Sequence, residues 1–156
     1  MINKIKIIFK IIFTSKWIFK KPSKKKVLLY NPKSLRFSTF FFSKNICEIL
    51  DVRYESINIY VLFSTFLKFG INNFFNNYKK MYLSLVSPKL VFTAIDNDPS
   101  FYKLKQFYNK PVYISVQNGL RNNEFYNLCK SYINNTKKKL LADYIFLFGE
   151  NEKKRF

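Results

Sequence analysis

The sequence contains no histidine, only three glycines and two cysteines, and only nine acidic residues. Without histidine, Ser-His-Asp catalysis and nearly all transition-metal chemistry are excluded. The cysteines, Cys47 and Cys129, are far apart and form no CxxC pattern, which argues against a disulfide scaffold and a zinc finger. Three glycines are too few for a glycine-rich phosphate loop. We therefore expect no metal and no cofactor, and any catalysis must use carboxylates, Tyr, Lys, Ser or Cys.

The charge is strongly unbalanced, with 28 Lys and Arg and a net charge of +19 over 156 residues. Such an excess points first to nucleic acid or to an anionic membrane. However, lysine outnumbers arginine 24 to 4, whereas a site built for bidentate phosphate contact favours arginine. Lys, Asn, Ile, Phe and Tyr also have AT-rich codons, so drift in base composition raises lysine and aromatic content without any function. A nucleic-acid partner is therefore the less favoured interpretation.

Residues 1–26 form a basic segment with nine lysines and no acidic residue. Lys10 and Lys16 interrupt its apolar stretches, which are too short for a transmembrane helix or the apolar region of a signal peptide. With Trp17 among the lysines, the segment is suited to lie on an anionic membrane surface. A solvated N-terminal helix and contact with nucleic acid are the alternatives. The chain is then divided into this segment and one domain, 27–156.

From residue 27 onward, short apolar runs alternate with longer segments of helical spacing. The predicted strands are 27–30, 52–59, 90–95, 112–116 and 143–148. The predicted helices are 35–50, 60–85 with a break near 70–73, 101–108 and 124–139. Strands separated by helices predict an α/β fold: a Rossmann-like parallel sheet of about five strands with flanking helices, preceded by a basic N-terminal helix.

Ligands of such sheets bind beyond the carboxyl ends of the strands, and three predicted strand ends carry polar clusters. These clusters are 31–34 (NPKS), 96–98 (DND) and 117–121 (QNGLR). Asp, Asn and Gly after a strand also serve as ordinary turn and helix-capping residues. For the first cluster the turn interpretation is favoured. For the other two, both interpretations stay open.

The stretch 88–121, PKLVFTAIDNDPSFYKLKQFYNKPVYISVQNGLR, carries a more specific pattern. A strand ending in I-D-N, then F-Y in a short helix, another strand, and Q-N-G before a basic residue follow in order. This pattern resembles the N-terminal half of bacterial surface-carbohydrate biosynthesis proteins, which are similar to glycosyltransferases of the two-Rossmann-domain (GT-B) type. The segment 140–156 is similar to the part of that half that forms its next strand.

The resemblance implies an acceptor-binding domain for a surface polysaccharide such as an O-antigen or capsule, acting on a glycan or lipid-linked acceptor. Asp96 is the candidate catalytic base or hydroxyl-binding carboxylate. The candidate substrate-binding residues are Asn97, Asp98, Tyr102, Gln117, Asn118, Gly119 and Arg121. Tyr102 is a candidate for stacking on a sugar ring, although a core position in its helix is the favoured interpretation. Asn118 stands where related turns often carry histidine, and an amide cannot act as a base near neutral pH.

In two-domain glycosyltransferases the C-terminal domain holds most of the nucleotide-sugar donor, and this chain ends near the close of the first domain. We therefore expect the donor to need a missing or separate domain. The expected location is cytoplasmic, with possible peripheral attachment at the inner face of the cell membrane. The alternative function is a non-catalytic basic protein that binds nucleic acid or an anionic membrane surface.

Overall fold

The structure, a computed structural model, describes residues 13–154. Its strands are β1 (Lys16–Ile18), β2 (Val27–Tyr30), β3 (Cys47–Leu50), β4 (Ser56–Asn58), β5 (Leu90–Thr93), β6 (Val112–Val116) and β7 (Tyr144–Phe146). Its helices are α1 (Ser34–Ser38), α2 (Ile59–Phe69), α3 (Phe74–Val86), α4 (Pro99–Phe107), α5 (Asn123–Thr136) and α6 (Glu150–Lys153). None of the helices within 13–154 is long and apolar enough to cross a bilayer.

Five strands form one parallel sheet in the order β3-β2-β5-β6-β7, with helices around it. This confirms the predicted Rossmann-like α/β fold. Numbered along the chain, the order is 2-1-3-4-5, so the connections that leave β2 and β5 diverge. Such a divergence opens a crevice beyond the carboxyl ends of the two strands, where ligands of doubly wound sheets bind.

Both faces of the central strands are buried, which explains the uninterrupted apolar run of β2. On one face Leu28 and Tyr30 lie in the larger core cluster, with side chains from α2, α3, α4 and α5. On the other face Val27 and Leu29 pack with Phe92 in a smaller cluster, covered by α1 and the residues that follow it.

The long connection between β4 and β5, predicted as one or two helices with a break near 70–73, consists of two helices. Helix α2 ends at Phe69 and α3 begins at Phe74. Gly70 caps α2 with φ 63° and donates its N–H to the carbonyl of Phe66 at 2.9 Å. A residue without Cβ adopts this left-handed φ at little cost, so the helix ends there.

The predicted helix 35–50 is wrong over most of its length. Helix α1 ends at Ser38, and a short 3-10 turn, Lys44–Ile46, leads into strand β3. The apolar spacing of Ile46, Ile49 and Leu50 fits a helix and a partly buried strand equally well. Pairing of Cys47 with Val27, at the edge of the main sheet, selects the strand.

The predicted strand 52–59 is also wrong over 52–55 and at Ile59, the first residue of α2. The carboxylate of Asp51 accepts the backbone N–H groups of Arg53 at 3.0 Å and Ser56 at 2.9 Å, and Tyr54 has φ 60°. These bonds close a turn. Only Ser56–Asn58 is extended, and it pairs with β1 in a separate two-stranded sheet.

The predicted basic N-terminal helix falls partly on residues 1–12, which lie outside the described residues. In the described part, Lys16–Ile18 is a strand that pairs in parallel with β4, with Trp17 opposite Ile57. Trp17 also packs against the larger core cluster. The described end of the basic segment is therefore integrated into the fold.

Candidate functional site

Asp96 lies three residues beyond Thr93, the last residue of β5, and is 0% exposed. One carboxylate oxygen accepts Arg121 Nε at 2.7 Å, and the other accepts Arg121 Nη2 and the backbone N–H of Asn118 at 3.2 Å. The bidentate pair joins the loop after β5 to the loop after β6. A catalytic base must reach the proton of the acceptor hydroxyl, and here the carboxylate faces protein donors. That Asp96 is the base stays a prediction.

Arg121, in the loop after β6, is the basic partner of this ion pair. Its side chain is only 9% exposed, and Nη2 also donates to Asn118 Oδ1 at 2.6 Å. The hydrogen bonds to Asp96 raise the pKa of the guanidinium above its usual value. The anionic group that Arg121 holds in this structure is therefore the side chain of Asp96.

Two exposed amides lie on the loops that follow β5 and β6. Asn97 and Asn118 are exposed, on the two loops that Asp96 and Arg121 hold together. Gly119 is half-buried, and a Cβ added there would meet only Arg121 Nη1, at 3.8 Å. Primary amides offer both donors and acceptors, so Asn97 and Asn118 are suited to bind hydroxyl groups.

Gln117 and Tyr102 are internal. Gln117 Nε2 donates to Glu152 Oε2 at 2.7 Å, and its Oε1 accepts the N–H of Phe148 at 2.7 Å. The Tyr102 hydroxyl donates to the carbonyl of Asp96 at 2.9 Å and shares a 3.1 Å bond with Ser115 Oγ. Burial raises the pKa of Tyr102 above its usual value. In this structure both side chains support the loops from within, and the Tyr102 ring lies in the core.

Asp98 lies at the crevice between β2 and β5. Its Oδ2 accepts the hydroxyl of Tyr30, the last residue of β2, at 2.8 Å. Its Oδ1 accepts the N–H of Ser100 at 2.9 Å and caps α4. The pKa of Tyr30 is raised far above its usual value. The largest cause is burial, and the charge of Asp98 and the hydrogen bond between the Tyr30 hydroxyl and Asp98 add to it. Asp98 is half-buried, whereas Asp96 is fully enclosed.

Lys79, on α3, belongs to the same crevice and was not predicted as a site residue. It is 8% exposed, and its Nζ lies 5.9 Å from the centre of the Tyr30 ring. Burial lowers the pKa of this ammonium, while the charge of Asp98 opposes the shift. The helical spacing of the sequence could have indicated that Lys79 is buried, since it shares a face of α3 with the buried Tyr82 and Val86.

The first polar cluster, 31–34, behaves as a turn. Asn31 has φ 95°, and its side-chain oxygen accepts the N–H of Lys33 at 2.9 Å. Ser34 is fully buried, and its hydroxyl accepts the N–H of Ala94 at 3.1 Å. The first bond closes the turn, as the favoured interpretation of this cluster predicts, and the second ties the loop after β2 to the residues after β5.

Together these features define a class of protein, a doubly wound parallel α/β domain with a polar carboxyl edge next to its crevice. In the part of the chain that the structure describes, no group of three or more His, Cys, Asp or Glu side chains could hold a metal ion. The chain matches no protein-family model, no curated protein and no solved structure in the comparisons made.

Proposed function

We propose that the chain is the acceptor-side domain of a glycosyltransferase that builds a surface polysaccharide. The observation that carries the proposal is the carboxyl edge of the sheet. There Asn97 and Asn118 present exposed amides on two loops held together by Asp96 and Arg121, beside the half-buried carboxylate of Asp98. Rigid amide and carboxylate groups at a fixed spacing are suited to sugar hydroxyls.

In this proposal the residues divide into binding and positioning groups. Asn97, Asn118 and Asp98 contact the glycan or lipid-linked acceptor, while Asp96 and Arg121 fix the two loops. The nucleotide-sugar donor is held by a second domain or a partner. In inverting transfer the acceptor oxygen bonds to the anomeric carbon as the diphosphate leaves, and a base removes the hydroxyl proton. Asp98 is the more accessible of the two carboxylates on this loop.

Saturation-transfer NMR with the full chain tests the binding step. The probes are a panel of oligosaccharides from bacterial surface polysaccharides and a set of nucleotide sugars. We expect saturation of at least one oligosaccharide and none of the nucleotide sugars. Asn97→Ala with Asn118→Ala should abolish the signal, whereas Asn127→Ala, at an exposed position of α5, should not change it.

Two results would contradict the proposal. One is the absence of binding to every oligosaccharide by a folded chain, and the other is an oligosaccharide signal that survives loss of both edge amides. In the enzyme reconstituted with its donor-binding part, Asp96→Asn and Asp98→Asn then separate the two carboxylates. The variant that abolishes transfer while acceptor binding and folding persist identifies the base.

A further inference from the structure

Helix α2 has an unusual distribution of apolar side chains. Phe63 is 62% exposed and Leu67 is 76% exposed, whereas Thr65 is fully buried and donates its hydroxyl to the carbonyl of Val61 at 2.7 Å. A helix on the surface of a globular protein places polar residues on the outer face. In α2 the outer face is apolar as well as the inner face, where Val61 is buried in the larger core cluster.

The apolar surface continues beyond the helix. Along α2 the exposed residues Tyr60, Phe63 and Leu67 lie on one face, and Ile71, in the turn that follows, is 77% exposed. Strand β1 contacts α2, and Phe19, just after this strand, is also exposed. Such a contiguous patch marks a site of interaction with another molecule or a membrane.

The charges around this patch favour an anionic occupant. Near the helix N-terminus, Asn58 Nδ2 donates to the carbonyl of Lys20 at 2.8 Å, and Lys21 Nζ lies 5.1 Å from the centre of the Tyr60 ring. Near the C-terminus, Lys68 and Lys80 lie beside the Phe69 ring, at 5.6 and 5.8 Å. In the sequence, no acidic residue occurs between Glu55 and Asp96.

We propose that the exposed face of α2 docks on an anionic membrane surface, with its aromatic and aliphatic side chains at the boundary between headgroups and acyl chains. Lysines near both ends of the helix then lie at the level of the lipid phosphates. A second copy of a chain with a net charge of +19 would be repelled from this face. This docking does not depend on the proposed glycosyltransferase function.

Vesicle co-sedimentation tests the proposal with the full chain. The probes are vesicles of phosphatidylcholine alone and vesicles that also contain phosphatidylglycerol. We expect binding to the anionic vesicles that weakens with salt. Phe63→Ser with Leu67→Ser should reduce the partition coefficient by about tenfold or more, because these side chains lose their apolar contact with the lipid. Lys68→Gln with Lys80→Gln should remove part of the preference for anionic lipid.

Phe40→Ser with Phe41→Ser is the matched control. These two phenylalanines are equally exposed but follow α1, which covers the opposite face of the main sheet. The control should bind as the parent chain does, and circular dichroism should show all variants folded. Trp17 is the single tryptophan and lies in β1 beside α2, so a blue shift of its fluorescence on binding reports contact at this part of the surface.

Four outcomes would overturn the proposal. The first is no binding to anionic vesicles. The second is undiminished binding of the Phe63 and Leu67 double variant, which would assign the membrane contact to another part of the basic chain. The third is an equal loss of binding in the control variant, which would show that the contact is not specific to α2. The fourth is displacement from the vesicles by duplex DNA at equal phosphate concentration, which would indicate general attraction between opposite charges.

Discussion

Asp96 and Arg121 form the most deeply buried of the ion pairs among the described residues. Both side chains are almost fully enclosed, and Arg121 donates to both oxygens of the Asp96 carboxylate. Removing one partner of a buried pair leaves an uncompensated charge in a medium of low polarizability. The buried ion pair of Asp96 and Arg121 therefore determines the positions of the exposed amides of Asn97 and Asn118.

We expect Arg121→Met to reduce the free energy of unfolding by about 3–5 kcal/mol, measured by urea denaturation. Adding Asp96→Leu to this variant removes the stranded carboxylate and should restore part of the loss. If the double variant is as unstable as the sum of the two single variants, the pair contributes no coupling energy and the argument fails.

Substitution of Lys79 should change the free energy of unfolding in the opposite direction. Its ammonium is buried against the Tyr30 ring, and its lowered pKa shows that burial disfavours the charged form. We expect Lys79→Met to raise the free energy of unfolding by about 1 kcal/mol at neutral pH, because an apolar chain of similar length has no desolvation cost. Lys89→Met, at an exposed position, is the control and should have little effect. Destabilisation by Lys79→Met would show that attraction to Asp98 exceeds the cost of burial.

At the scale of elements, β1 and β4 connect the basic N-terminal segment to the rest of the domain. Asn58 is central to this connection. Its side-chain oxygen accepts the N–H of Val61 at 3.1 Å as the cap of α2, and its Nδ2 reaches the carbonyl of Lys20. The side chain of Asn58 thus caps the N-terminus of α2 and also holds the segment that follows β1.

We expect Asn58→Ala to cost about 2 kcal/mol, near the upper end of the range for helix caps, because both bonds are lost from a buried position. Asn122 caps α5 through the N–H of Phe125 at 3.1 Å but is exposed, so Asn122→Ala should cost about 1 kcal/mol or less. Thermal or urea unfolding ranks the two variants. The reverse order would mean that the bond to Lys20 contributes nothing.

The sequence predicted the elements whose pattern is local. Strands β2, β5, β6 and β7 lie within predicted strands, since continuous apolar runs ended by polar residues are typical of a parallel sheet. It misplaced the second strand of the main sheet because the spacing in 46–50 fits helix and strand alike. The pairing of β3 with β2, and of β1 with β4, is decided by tertiary contact, which local pattern does not carry.

For the candidate site, the sequence likewise indicated the polar loops but not the long-range contacts of their side chains. The polar loops were found because they follow strands, and the topology brings two of them together. That Asp96 and Gln117 face inward depends on partners 25 and 35 positions away, Arg121 and Glu152. The contact of Tyr30 with Asp98 spans 68 positions. It joins β2 to the loop after β5, and the sequence predicted both strands but not that they are neighbours.

At the scale of the whole molecule, the core is rich in buried tyrosines. Burial raises the pKa of Tyr78 to about 12, and it raises further those of Tyr30, Tyr54, Tyr82, Tyr102 and Tyr113. In the unfolded chain these phenols ionise near 10. Above that pH the unfolded state holds fewer protons than the folded state, so the stability that the neutral phenols contribute decreases as pH rises.

We expect the free energy of unfolding to fall steeply between about pH 10 and 12. The ultraviolet absorbance of tyrosinate should show that the buried tyrosines ionise only together with loss of the circular dichroism of the fold. Titration of all tyrosines in one step near pH 10 with the fold intact would contradict the assignment of these side chains to the core.

The centre of the main sheet is a pair of strands, β2 and β5, that are joined by about 60 residues of intervening chain. Ribosomes add about 5–20 residues per second, so β2 is made several seconds before β5 exists. During that interval the apolar run of β2 has β3 as its only available neighbour in the sheet. Closing this long loop is costly in entropy, so refolding of the chain should be slow compared with that of helical domains of the same size.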